Sequence, residues 1–191
     1  MKTISSSLMI LLFLAAAGFS QTIDLGQNVF LGQEEDIIVA IDAALAVRKI
    51  DSPYVMFVAY FLARGYDSLS IRRDDVTMIY KDQEYRMPTF AEWRKEYRAA
   101  QNDMTLYNAL GKEALANSEL RHYTFPSDYD YFPIPGRGQR QVDEGSLAGT
   151  IGFRTKLYFK NPGFKKGDEL VIVVKDRKNP EIKGTCGVLL K

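Results

Sequence analysis

The chain has 191 residues, with 25 Lys and Arg against 24 Asp and Glu, one His, one Cys and one Trp, and 46% of it is hydrophobic. That balance excludes a disordered, collagen-like or strongly basic chain and fits one folded domain large enough for its own core. A single His and a single Cys exclude an intrachain disulfide and leave zinc without its usual ligands.

The N-terminus reads as a targeting segment. Lys2 is a small positive n-region, residues 8–17 are an unbroken apolar run, and Ala15, Ala17, Gly18 and Ser20 supply the small residues of a cleavage site. The expected signal peptide is residues 1–20, cut after Ser20, with Ala17 the second choice. A membrane anchor would need about 20 apolar residues, and Gln21, Asp24 and Gln27 follow too soon. No Cys stands near the cut to take a lipid. Removing residues 1–20 removes Lys2 and no acid, so the remaining chain has zero formal net charge. No overall field is left to hold nucleic acid or an anionic membrane. Residues 21–35 are then expected to be an N-terminal extension, and 36–191 a single domain.

Within that domain Ile37, Val39, Ile41, Ala43, Leu45 and Val47 alternate as in a strand. The acids at 34–36 and the bases at 48–49 would suit a helix over the same span. Alternation favours a strand over 37–47, with the helix kept as the alternative. Residues 54–63 are aromatic and β-branched without a charge, the pattern of a strand covered on both faces. Further strands are expected at 69–72, at 76–80 paired with 84–87 across a Lys81-Asp82-Gln83 turn, and at 150–159, 169–175 and 182–190.

Thr89 with Glu92 is a capping box, and Phe90, Trp93, Tyr97, Ala100, Met104 and Tyr107 fall on one face of a helix that breaks near Asn102-Asp103. Residues 89–117 are therefore expected to be a helical insertion. Residues 118–149 have no sustained period and form a long loop in this reading. The whole is expected to be mainly β: an antiparallel sandwich of about seven strands. In outline it is similar to the immunoglobulin-like sandwiches of many exported bacterial proteins. The similarity is architectural, because no Cys–Trp–Cys framework is present, and it implies no function.

The chemistry is mostly negative. His122 is the only imidazole, Ser118 and Ser127 lie in no nucleophile elbow, and Gly136 with Gly138 forms no phosphate cradle. Asp128, Asp130, Asp143 and Glu144 are the acids available to a carboxylate-type hydrolase or a calcium loop. No catalytic residue, metal or cofactor is expected. Alternation of Ile182, Gly184, Cys186, Val188 and Leu190 places Cys186 on a buried strand face. The densest unusual feature is the aromatic run containing Tyr123, Phe125, Tyr129, Tyr131 and Phe132, which reads either as a recognition surface or as rings filling a satellite core. The expectation is an exported, non-catalytic module, periplasmic or extracellular and bacterial. Its partner would be an envelope protein or a glycan. An inhibitor or assembly factor using the 118–149 loop is the other non-enzymatic reading.

Overall fold

The computed structural model describes residues 21–110, 113–134, 136 and 138–191, so the expected signal peptide lies outside the described residues. In chain order the elements are β1 (Thr22–Gly26), β2 (Val29–Gly32), β3 (Ile37–Asp42), α1 (Ala44–Arg48), β4 (Tyr54–Ala63), β5 (Leu69–Arg72), β6 (Val76–Tyr80), β7 (Gln83–Arg86), α2 (Phe90–Glu96), α3 (Ala100–Asn108), α4 (Glu113–Ala116), β8 (Tyr129–Asp130), β9 (Arg140–Gln141), β10 (Glu144–Leu147), β11 (Phe153–Lys160), β12 (Glu169–Lys175) and β13 (Lys183–Leu189). The protein is mainly β with antiparallel sheets. The described residues hold thirteen strands rather than seven.

A five-stranded antiparallel sheet runs β1-β2-β3-β4-β11, and a four-stranded one runs β13-β12-β6-β7. The first four strands of the larger sheet follow one another as a meander. Residues 21–35 are thus not a mere extension: they contribute the β1–β2 hairpin to the main sheet. Its turn, Gln27-Asn28, has φ of 52° and 62°, and the Lys81-Asp82 turn between β6 and β7 has 49° and 60°. Two successive left-handed residues make the mirror-image turn that matches strand twist.

The two sheets share a core. Register puts Val39, Phe61 and Phe153 in one row of the larger sheet, with Ile41, Ala59 and Thr155 in the next, all buried. Leu170, Ile172 and Val174 with Cys186 and Val188 face them from the smaller sheet. The closest approach is between β13 and the β2–β3 corner. A methyl group on Gly32 would overlap the Thr185 carbonyl, and one on Gly184 would overlap the Ile37 carbonyl. Only glycine lets the two backbones come so near.

The opposite face of the larger sheet carries the helices. Residues 37–47 are strand only to Asp42, whose carboxylate accepts the Ala44 N–H at 3.0 Å and turns the chain into α1. Both alternatives held in part: Ile37, Val39 and Ile41 face the core from a strand, and Leu45 from a helix. The capping box forms as expected, with Glu92 N–H donating to Thr89 Oγ1 at 3.2 Å and Thr89 N–H to Glu92 Oε2 at 2.8 Å. Helix breaks at 97–99, not at 102–103, because Asp103 is required inside α3 as a buried acceptor. Trp93, Tyr97, Ala100, Met104 and Tyr107 are all buried, so the aromatic stripe is packing surface.

Gly184→Ala should destabilise the fold by roughly 2–3 kcal/mol, the usual cost of overpacking, read as a lower urea midpoint. Burial pushes the Cys186 thiol up to about 12. Iodoacetamide should therefore leave the native protein unmodified and alkylate it only after unfolding.

Candidate functional site

The five aromatics singled out at 123–132 separate in space. Tyr131 is fully buried, its hydroxyl donating to the Ile71 carbonyl at 2.7 Å and its ring 5.0 Å from Phe153. Phe132 is fully buried between Trp93 and Tyr158, at 5.2 Å and 5.4 Å. Neither can touch a ligand, which removes both from a recognition surface. Tyr123 and Phe125 are half-buried over a small cluster of Leu31, Ala40, Leu62 and Leu120, with Phe125 edge-on to Tyr60. Only Tyr129 stays exposed, beside Ile151 at the mouth of a shallow pocket of about 300 Å³ floored by Phe153.

What the segment does instead is close a sheet edge. Asp130 Oδ1 accepts the N–H of Phe132 at 2.9 Å and of Lys156 at 3.3 Å, and the Thr155 hydroxyl at 3.1 Å, while Oδ2 pairs with the Lys156 ammonium. A carboxylate thus binds the outer side of β11. The rest of 118–149 is ordered by the 3₁₀ turn Glu119–His122, by β8–β9 and by the pairing of β10 with β5. It is a strap rather than a loop.

Those bonds also account for the acids. Asp143 and Glu144 pair with Arg73 and Arg177, so of the four candidates only Asp128 is left in no ion pair among the described residues. Ser118 is engaged as well, accepting from Leu120 N–H and donating to the Leu115 carbonyl. Among the described residues no group of three or more His, Cys, Asp or Glu is placed to hold a metal ion.

A polar cluster that the sequence did not suggest lies between α1, α2, α3 and β11. The Tyr97 hydroxyl donates to Asp103 Oδ2 at 2.7 Å, Tyr158 donates to the same oxygen at 3.3 Å, and the Lys49 ammonium pairs with Oδ1. Ser52 Oγ stands 3.4 Å from the Tyr97 oxygen. A serine beside a tyrosine, a lysine and an aspartate has the composition of a catalytic relay. Its electrostatics are wrong for one. Burial pushes the Tyr97 phenol up, with Asp103 acting the same way, so it stays protonated. Burial works to lower the Lys49 ammonium, but its bonds to Asp103 and Tyr97 outweigh that and hold it charged. Neither can take a proton from Ser52 near neutral pH. The cluster fastens the helices to the sheet.

Another open surface is the outer face of the smaller sheet. Its strands should alternate apolar inward and polar outward. Here β12 reads Leu170, Val171, Ile172, Val173, Val174, apolar on both faces. Register sets Val171 beside Ile79 on one side and Gly187 on the other, and Val173 beside Thr77 and Thr185. Ile79 is 37% exposed. At one side this face runs into a groove of about 630 Å³ between β1 and β12–β13, lined by Thr22, Asp24, Ile79, Val171, Gly187 and Leu189 among others. The signal in the sequence was the unbroken run 170–174. The same reasoning that called for cover on both faces of 54–63 applied to it.

Asp103→Asn should lower stability by about 3 kcal/mol in urea unfolding, because it leaves the Lys49 ammonium without its counter-charge. Compared with known proteins, the chain matches no family model, no curated protein and no solved structure.

Proposed function

We propose that this is an exported, non-catalytic binding module of a bacterial cell envelope, periplasmic or extracellular, that holds a partner on the outer face of its smaller sheet. The observation that carries the reading is the apolar face of β12. Val171 and Val173 point away from the core and are only partly buried, beside the exposed Ile79 and an open groove. An exposed apolar patch next to a concavity marks a contact surface far more often than scattered apolar residues do. An immunoglobulin-like architecture, in the coarse sense of two antiparallel sheets on one core, is the frame for this reading.

The surface chemistry agrees with binding rather than catalysis. Asp130, Asp143, Glu144 and the Ser52 cluster are used in holding the fold, and the groove is lined mainly by strand residues, with no His or Cys among them. Export supplies the setting: a signal peptide at 1–20 would leave a neutral chain beginning at Gln21.

Two measurements test the proposal. N-terminal sequencing of the protein from its native source should begin at Gln21; a start at Met1 removes export from it. A photoreactive residue in place of Ile79 or Val171 should form an adduct of one discrete mass in cells, and one in place of Tyr129 should not. An adduct at 129 alone would move the contact surface to the pocket beside Ile151.

A further inference from the structure

The groove beside β1 has features of a place for one more strand. We propose that it takes an extended polypeptide segment whose side chains alternate apolar and basic, lying along β1 and over Val171. This rests on the reading of the groove as the binding surface and names the chemistry of its occupant.

The backbone is the first argument. β1 is the last strand of the five-stranded sheet and β13 the last of the four-stranded one, and each has a neighbour on one side only. Among the described residues no backbone group within 22–26 bonds outward to another backbone group. The Gly187 N–H, pointing out of the edge of β13, is met by a side chain, the Thr22 hydroxyl at 2.8 Å. A hydroxyl is standing where a strand carbonyl would be. Such edges select a polypeptide over a lipid or a sugar, because an added chain supplies donors and acceptors at the spacing of the ladder.

The side-chain chemistry comes from the floor and the rim. Across the sheet, Ile79, Val171 and Gly187 lie in one row, and Thr22 of β1 stands over Gly187, its Oγ1 3.3 Å from where a Cβ there would be. An apolar side chain of the incoming segment would rest on Val171 and Ile79. The rim carries Asp82 and Glu169, and neither has an ion-pair partner among the described residues. Of the cations nearby, Lys191 pairs with Asp24, and Lys81, which lines the same groove, lies 4.7 Å over the Tyr80 ring and in no ion pair among the described residues, so Asp24, Asp82 and Glu169 outnumber the two lysines by one. A lysine or arginine at the next position turns to the opposite side of the strand, away from the floor and toward the rim. Six extended residues span about 20 Å, the length of a typical strand.

The test is a titration of the purified, isotope-labelled protein followed by amide chemical shifts. The probes are a capped hexapeptide of alternating lysine and valine and its glutamate–valine counterpart. Saturable shifts at Thr22, Asp24, Thr185 and Gly187 are expected with the lysine peptide only. The double variant Asp82→Asn, Glu169→Gln, which alters surface carboxylates alone, should weaken binding roughly three- to tenfold, as two exposed charge pairs would. Val171→Lys should abolish it while leaving the other shifts in place. Equal binding of both peptides overturns the charge assignment. No saturable shift with either peptide overturns the strand-addition proposal. If adducts nonetheless form at residues 79 and 171 in cells, the groove remains a binding surface for another chemistry. If they do not, both readings fall together.

Discussion

The contact on which the architecture turns is the close crossing of β13 over the β2–β3 corner. Gly32 and Gly184 let the backbones of two sheets meet where any side chain would hold them apart. Cys186 fits the space between, buried like a small hydrophobe and inert for that reason. Because the sheets close there, the larger one must carry an extra hairpin beyond the crossing. That hairpin, β1–β2, becomes one wall of the groove. The same contact that completes the core therefore borders a groove of about 630 Å³ that runs onto the outer face of the smaller sheet.

The two sheets also present different outer faces. The larger one is apolar on its inner face and mixed on its outer face, where Asp42, Tyr60, Arg154, Lys156 and Tyr158 stand among apolar residues. Buried polar groups need partners, and the helices and the strap bring them: Tyr107 to Asp42, Asp103 to Tyr158, and Asp130 to Lys156. These contacts specify where the insertion docks more than they add to net stability. The smaller sheet differs: on its outer face the partly buried Val171 and Val173 stand beside the exposed Ile79, with Thr77 and Thr185 as polar neighbours.

Much of this was legible. Alternation placed most of the strands of 54–87 and 150–190 within a few residues, the capping box located the helix start, and helical spacing picked the buried aromatic face. Three kinds of feature were not. Very short strands, such as β8 and β9, carry no period that two residues could display. The helix break at 97–99 depends on a tertiary demand, the acceptor role of Asp103, that no local propensity encodes. And aromatic content on a stretch without period does not say which rings turn inward. Tyr131 and Phe132 are adjacent, yet they enter different parts of the core from opposite sides of the edge strand β11.

By itself, then, the sequence determined the strand and helix periods, the near-balance of charge, and the shortage of imidazole and thiol. Each of these is a property of composition or of local spacing, which survives without knowledge of neighbours. Only the tertiary structure decided which acids are tied up in ion pairs, which aromatics are buried, and that the apolar run 170–174 turns one face away from the core. Those are facts about who lies beside whom across more than a hundred residues of chain, and they follow from the packing of two sheets through a pair of glycines.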